Sequence, residues 1–300
     1  MRILISGASG LTGTALTAAL RAKGHAVSHL VRPGGSPAPG DVGWDPVAGT
    51  VDITAMEGAD AVVHLSGASI SGGRWTSRRK TLLRTSRVDS TRVLIDAMAH
   101  LRRKPRAFVC ASAIGIYGNR GDEVLTESSV PGTDFLALLA RDWEAEAMRA
   151  GSLGMRVVLL RFGIVLSAAG GALPIILLPF KFGVGGRLGS GTQWMSWIAL
   201  DDAVEIMRLA ITDETMKGPV NVVAPNPVTN AEFTRVAAAT LHRPAIFPAP
   251  AFALRLALGE MADALLLASQ RVIPEQLLAR GHVFRFTELG AALRAILRKA

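Results

Sequence analysis

Cysteine is nearly missing from the chain: Cys110 is the one thiol among 300 residues. A single thiol excludes an internal disulfide and any multi-cysteine metal site. It lies in the apolar run Ala107–Ala111, which suits a packed core thiol better than a reactive one. Long apolar runs are missing too. Hydrophobic residues make up 49% and the mean hydropathy is +0.33, ample for a core. Yet no uninterrupted stretch reaches the ~20 residues a spanning helix needs. Residues 172–180 are too few, and 251–267 carry Arg255, Glu260 and Asp263. The N-terminus reads as a strand and a glycine turn rather than a cleavable leader. These features predict a soluble, cytoplasmic protein with no membrane partner. Aromatic residues are scarce at 5%, and tyrosine occurs once, as Tyr117. Acid is short against base, 24 residues to 33, for a net charge of +9. Much of the excess clusters at Arg74, Arg78, Arg79, Lys80, Arg84, Arg87 and Arg92, then at Arg102, Arg103, Lys104 and Arg106. Such a surface can bind nucleic acid, steer anionic ligands, or be a solvated helix face. No nucleic-acid motif and few rings for base stacking argue against the first, leaving a solvated face with some steering.

What is present is concentrated at the start. Ile3-Leu4-Ile5 is followed by Gly7-x-x-Gly10-x-x-Gly13, and a helical pattern opens at Leu11. Strand, glycine turn and helix in that order make a dinucleotide site. The first glycine turns the chain, the second lets backbone N–H groups approach a pyrophosphate, and the third brings the helix close to the sheet. The helix N-terminus adds free N–H groups and partial positive charge.

Apolar runs at Ile3–Ile5, Val27–Val31, Ala61–Leu65, Phe108–Ala111 and Val157–Leu160 alternate with helical patterns at Thr14–Ala22, Arg78–Ala99 and Phe135–Ala150. This alternation predicts an α/β fold, a Rossmann-type doubly wound parallel sheet with helices on both faces. Pro33–Pro46, rich in glycine and proline, reads as loop. After about residue 165 the texture changes to a smaller C-terminal α/β lobe. Helices are expected at Asp201–Ile211, Asn230–Leu241, Phe252–Ala268, Pro274–Ala279 and Glu288–Leu297, a strand at Val220–Val223, and a link at Pro244–Pro250. The expected division is a cofactor domain over 1–165, with part of 200–225 open to inclusion, and a substrate lobe over 166–300.

NAD sites place an acid after the second strand to bond the ribose 2′-OH. Here the strand ends His29-Leu30-Val31-Arg32-Pro33, with no acid. The planar guanidinium of Arg32 suits a 2′-phosphate, so NADP(H) is the expected cofactor.

The Gly7/Gly10/Gly13 spacing resembles the extended short-chain dehydrogenase/reductases, the NAD-dependent epimerase/dehydratase group. His64-Leu65-Ser66-Gly67-Ala68 looks like that family's turn after the fourth strand. Arg87-Val-Asp-Ser-Thr91-Arg-Val-Leu looks like its Asn-Val-x-Gly-Thr-x-x-Leu-Leu helix, with Arg87 where an Asn often faces the cofactor. Ala111–Gly118 resembles its Ser-Ser-x-x-Val-Tyr-Gly strand end, and Arg161–Val165 its Arg-x-x-Asn-Val-Tyr-Gly stretch. Trp44–Pro46, Arg74–Thr76, Ser86–Val88, Trp143-Glu144, Gly170–Leu173, Gly183–Ile198, Pro227–Phe233 and Gly259–Met261 match more closely an atypical subgroup with its own C-terminal segment, about 248–298 here. The resemblance implies an NADP(H) site and an oxidoreductase or nucleoside-diphosphate-sugar epimerase-like activity. The candidate cofactor contacts are Gly7, Ser9, Gly10, Leu11, Thr12, Gly13, Val31, Arg32, Leu65, Ser66, Gly67, Arg87, Ser112 and Val165. The implied partner is a small molecule, with anionic and nucleotide-linked substrates both open, and a homodimer is also open.

The family's active members use Tyr-x-x-x-Lys, and the chain lacks it in any alignment: Gly121 stands four residues after Tyr117. Where the dyad should fall the sequence reads Asp134-Phe-Leu-Ala-Leu-Leu-Ala-Arg-Asp-Trp-Glu144, and neither Phe135 nor Leu136 exchanges protons. A positioned acid/base contributes about 10²–10⁴-fold. Tyr117 and Ser112 remain as weak catalytic candidates at the strand end, with Arg161 or Arg87 available to lower the tyrosine pKa. The competing reading makes Tyr117 a packing residue with a tethered hydroxyl. His64, on an apolar strand, reads as a satisfied core histidine. No metal-ligand spacing stands out. Gly183–Gly191, with Lys181 and Arg187, reads equally as an anion cradle walled by Gln193, Trp194 and Trp197, or as a packing turn. Two functions follow: an NADP(H)-dependent oxidoreductase or epimerase-like enzyme, or a non-catalytic NADP(H)-binding redox-sensing module.

Overall fold

The computed structural model describes residues 1–298. β1 (Arg2–Ser6) leads into α1 (Leu11–Ala22) and β2 (Ala26–Val31). β3 (Val42–Asp45), β4 (Thr50–Val51), α2 (Ile53–Met56) and β5 (Ala61–His64) follow. α3 (Ser77–Arg84) runs through a π-helical turn, Thr85–Asp89, into α4 (Ser90–Ala99). Next come β6 (Ala107–Ala113), β7 (Val124–Leu125), α5 (Phe135–Met148) and β8 (Arg156–Phe162). The second half holds β9 (Ile164–Leu166), α6 (Ala172–Lys181), β10 (Trp194–Met195), β11 (Trp197–Ala199), α7 (Leu200–Thr212) and β12 (Gly218–Val222). β13 (Val228–Thr229), α8 (Asn230–Leu241), α9 (Ala251–Leu258), α10 (Glu260–Ala262), β14 (Arg271–Val272), α11 (Glu275–Ala279) and α12 (Leu289–Arg298) complete it.

The central sheet has the order β12-β8-β6-β5-β1-β2-β3-β4. Every pairing in it is parallel except β3 with β4. Parallel strands covered on both faces read as continuous apolar runs, which is why Ile3–Ile5 and Ala107–Ala111 show no polar alternation. Successive side chains go to opposite faces. Leu4, Val62 and Phe108 face one layer with Leu83, Leu94, Met98 and Trp143. Ile3, Ile5, Val63 and Val109 face the other with Leu16, Leu20, Ile206 and Met207. The fold is the expected doubly wound α/β sheet. A separate apolar cluster joins α6, α8 and α12 through Leu173, Phe180, Phe233, Leu289 and Leu293. Strand order reverses between β1 and β5, the point in such sheets where ligands bind beyond the strand ends.

Three expectations need revision. Pro33–Pro46 is not all loop, because Val42 and Trp44 of β3 are buried beside β2. A four-residue strand amid glycine and proline leaves too short an alternation to read. The helix expected over Arg78–Ala99 is interrupted by the π turn. There the Ser90 and Thr91 hydroxyls donate to the carbonyls of Ser86 (2.8 Å) and Arg87 (2.6 Å). The helical pattern from Phe252 breaks at Gly259, whose φ of +64° an L side chain rarely adopts. Among the described residues no helix is long and apolar enough to cross a membrane.

Candidate functional site

The glycine turn lies at the strand-order reversal, against the loop that follows β5. Gly7 has φ +71°, and a Cβ there would stand 2.8 Å from the Leu65 carbonyl carbon and oxygen. A Cβ on Gly13 would stand 2.3 Å from the Gly7 oxygen, so only glycine lets α1 seat against its own turn. Gly10 is the N-cap of α1, with no side-chain cap and no acid in the first turn. The helix therefore offers its first N–H groups and positive end outward.

Two cavities meet at Leu65-Ser66-Gly67. The outer one, about 1250 Å³, is lined by Gly7, Ser9, Gly10, Val31, Arg32 and Trp44 among others. Arg32 follows the last residue of β2, is exposed, and has no ion-pair partner among the described residues. Asp41 and Asp45 also line this cavity, but both carboxylates are engaged by backbone. Asp41 accepts from His29 N (2.7 Å) and Ala38 N (2.9 Å), and Asp45 from Val47 N (2.9 Å) and Ala48 N (3.1 Å). The donor set left at the β2 end is cationic, which fits a phosphate better than a ribose diol.

The inner cavity, about 600 Å³, lies on the other side of the Leu65–Gly67 loop and takes in Leu11, Thr12, Arg87, Ser112 and Val165. All the sequence-predicted contacts thus line one groove except Gly13, which packs behind the turn. The inner walls are mostly apolar: Ile114 and Phe162 from the sheet side, Leu136, Leu139 and Ala140 from α5, Ile175 and Ile176 from α6, and Leu265 and Leu266 after α10, with hydroxyls at Thr12, Ser66 and Ser71. Nothing in the sequence marked the α6 and 264–266 contributions, because apolar side chains at helical spacing read as ordinary core. Arg87 is the one charged side chain on this wall among the described residues. It sits on the π turn, donates to Leu83 O (3.2 Å) and Ala68 O (3.1 Å), and lies over the Trp143 ring at 5.3 Å. Burial, with repulsion from Arg79, pushes its pKa down to about 10, so it stays cationic at neutral pH without a carboxylate beside it.

Of the two weak catalytic candidates, one lines the groove. Ser112 lines the inner cavity, yet its hydroxyl donates to Glu144 Oε1 at 2.6 Å. Glu144 also receives Arg161 through Nε and Nη2, each at 2.8 Å. Tyr117 lies outside both cavities and fully buried. Its hydroxyl donates to Asn221 Oδ1 (2.7 Å) and accepts from Arg161 Nη1 (3.0 Å). Burial raises its pKa, and the Arg161 charge offsets this only in part, so the expected lowering of the tyrosine pKa is corrected. Asn221 N in turn donates to Glu127 Oε1 at 2.9 Å. This buried network, from Ser112 to Glu127, ties β6, α5, β8 and β12 together. Asn221 and Glu127 gave no sequence signal, since the strand and loop carrying them meet only in the fold.

His64 is a core residue. Its Nδ1 is 2.6 Å from Ser6 Oγ and its Nε2 is 3.2 Å from Ser90 Oγ. Ser90 already donates to Ser86 O, which assigns the proton to Nε2. Burial, helped by the Arg87 charge, pushes the ring down to about 3. Cys110 is also buried, and burial raises its thiol pKa. The 183–191 loop packs against the proline-rich link, and its Leu188 lines the inner cavity. Its backbone pairs with the proline-rich link through Phe247 N to Gly185 O (3.2 Å), Ala249 N to Arg187 O (2.9 Å) and Gly189 N to Ala249 O (2.8 Å). Of the expected wall of Gln193, Trp194 and Trp197, only Trp194 lines the inner cavity. Trp197 is buried in the lobe core and Gln193 bonds the Leu188 and Leu266 carbonyls. Arg271 lies over the Trp194 ring at 4.3 Å. No group of three or more metal-ligating side chains occurs among the described residues.

Comparison with known proteins agrees with this layout. The family model for the NAD dependent epimerase/dehydratase family matches residues 3–223, and a domain of unknown function (DUF1731) matches residues 249–296. An epimerase family protein of Mycobacterium bovis is 45% identical over 293 residues, covering 97% of this chain and 96% of that protein. The human epimerase family protein SDR39U1, isoform 2, crystallised with NADPH, superposes with a TM-score of 0.91 at 35% identity over 100% of both chains. The nucleoside-diphosphate sugar epimerase of Corynebacterium glutamicum gives a TM-score of 0.82 at 40% identity, covering 99% of this chain and 58% of that one.

Proposed function

The chain belongs to the NAD dependent epimerase/dehydratase family, and from that premise we propose that it binds NADP(H) along the groove and exchanges hydride with a small substrate in the inner cavity. The observation that carries the cofactor reading is the pairing of an uncapped α1 N-terminus with Arg32, which has no ion-pair partner among the described residues. Gly7, Ser9, Gly10, Leu11 and Thr12 would cradle the pyrophosphate. Val31 and Arg32 would take the adenosine 2′-phosphate. Leu65, Ser66, Gly67, Arg87, Ser112 and Val165 would flank the ribose and nicotinamide. The human relative's NADPH supports the same reading.

Titration of NADPH and NADH, followed by nicotinamide fluorescence, tests it. NADPH is expected to bind at least about tenfold tighter, and Arg32→Ala to remove that preference. A charge-assisted contact of about 1.5–3 kcal/mol corresponds to a ~10–100-fold loss confined to NADPH. Equal affinity for the two cofactors, or equal losses on substitution, would refute the role of Arg32.

A second reading, a redox-sensing module without catalysis, is favoured by one observation. Leu136 and Ala140 of α5, the helix where the family's Tyr-x-x-x-Lys would fall by resemblance, face the inner cavity with aliphatic side chains. A sugar epimerase reaction needs proton transfer at a hydroxyl, and neither Leu136 nor Ala140 can carry it. The missing pair weighs equally against an epimerase and against reduction of a simple ketone. Turnover of any carbonyl compound with NADPH would exclude the module reading.

A further inference from the structure

We propose that the inner cavity takes an apolar conjugated carbonyl compound, an enone or its quinone relatives, and that the guanidinium of Arg87 holds the negative charge that reduction creates on its oxygen. The proposal rests on the NADP(H)-binding reading and adds the substrate class.

Reduction of a simple ketone needs a proton delivered to the oxygen as hydride arrives. Among the described residues the inner cavity's lining holds no carboxyl, imidazole, phenol or ammonium group, and its alcohols, those of Thr12, Ser66 and Ser71 among them, are too weakly acidic to be efficient donors. Leu136 and Ala140 are aliphatic, Ser112 gives its proton to Glu144, and the Ser196 hydroxyl donates to Gln270 O at 2.8 Å. Tyr117 is sealed in the network behind the wall. A conjugated acceptor needs no proton in that step. When bound, NADPH supplies a hydride from C4 and is left as NADP⁺. The acceptor's β-carbon forms the new C–H bond. The C=C electron pair shifts to make an enolate, and the carbonyl π pair moves onto oxygen. Water then delivers the proton to the α-carbon. What the protein must supply is a dry apolar pocket and one fixed positive charge for the enolate oxygen.

The pocket has a largely apolar wall and the charge. Ile114, Leu139, Phe162 and Ile176 are hydrocarbon surfaces suited to a flat, unsaturated body. Among the described residues Arg87 has no ion-pair partner, and its hydrogen bonds go to neutral groups. Ile175, 66% exposed, belongs both to this wall and to the surface, so an apolar molecule has an apolar way in.

The test uses the matched pair 4-phenyl-3-buten-2-one and 4-phenyl-2-butanone, which differ by one C=C bond. With full-length protein and [4-²H]NADPH of each configuration, the enone should be consumed and the label should appear at the β-carbon of the saturated ketone. kcat/KM for the saturated ketone should be lower by at least about 100-fold. Binding is read separately. The enone should quench the fluorescence of Trp143 and Trp194, which line the cavity, in NADP⁺-loaded protein. Arg87→Met should lower kcat for the enone by about 100-fold, the cost of losing one oxyanion donor, and Arg87→Lys should restore part of it. Alcohol formation from either compound at a comparable rate would overturn the proposal. So would absence of quenching and of enone reduction in protein that binds NADPH, or an unchanged kcat in Arg87→Met. A protein that fails to bind NADPH at all fails the underlying reading instead.

Discussion

Acidification should unfold this protein earlier than its surface charge suggests, through His64. The ring is buried beside Trp44 and Phe108 and bonded to Ser6 and Ser90, and burial pushes its pKa down to about 3. In the unfolded chain the same ring titrates near 6.5. Between those values the unfolded state takes the proton and the folded state refuses it. The stabilisation is therefore complete above about pH 6.5 and is lost as pH falls toward 3. Each pH unit in that window removes about 1.4 kcal/mol, so moving from pH 7 to pH 5 removes ~2 kcal/mol. Total stabilities of ordinary domains are about 5–15 kcal/mol, so the loss is a large fraction. Other groups contribute to the slope. Burial lowers His282 and adds to it, whereas burial raises Glu127 and Asp202 and opposes it. Urea unfolding of wild type and His64→Gln at pH 7, 6 and 5 separates the histidine from the rest, since the amide can still bond both serines. The variant should lose ~2 kcal/mol less than wild type between pH 7 and 5. Parallel losses in the two proteins would refute the argument. Should the variant fail to fold, the ring resonances of wild-type His64 decide it: a midpoint near 6 refutes burial of the neutral ring.

Glu144→Gln leaves the Arg161 guanidinium buried without its counter-charge and should cost about 3–5 kcal/mol in thermal or urea unfolding; a loss below ~1 kcal/mol would mean that water reaches the pair. Tyr117→Phe removes the bonds to Asn221 and Arg161 and should cost about 1–2 kcal/mol while leaving NADPH affinity unchanged. A tenfold weaker NADPH complex would instead place the phenol in the site. Gly13→Ala forces a Cβ against backbone that cannot retreat. It should destabilise the fold by about 1–3 kcal/mol and weaken NADPH binding at least about tenfold, and a neutral result by both measures would show that α1 can shift.

The sheet and the glycine turn were legible because their signals are local. Ile3–Ile5, Gly7 and Gly13 lie within a dozen residues, and the period of the pattern reports burial directly. The dyad's absence was legible from composition, since one tyrosine and Gly121 settle it. The inner cavity was not, because its walls come from α5, α6 and the segment after α10, and hydrophobic periodicity does not distinguish a side chain facing a core from one facing a void. The Ser112–Glu144–Arg161 cluster could be read only in parts, as three motif residues without their mutual bonds. Trp197 shows the opposite error: an aromatic beside glycines looked like a ligand wall and is core.

The π turn at 85–89 gives up helical regularity where it places Arg87 on the cavity wall. Leu83 and Val88 are five residues apart and both buried, a spacing that a regular helix would turn to different faces. Removing one residue there would restore uninterrupted i→i−4 bonding and swing Arg87 by about 100° away from Gly67. A population selected for heat resistance alone would be expected to accumulate that deletion, gaining a better helix and losing the cation beside the groove. The irregular turn would persist only in lineages where the pocket is in use.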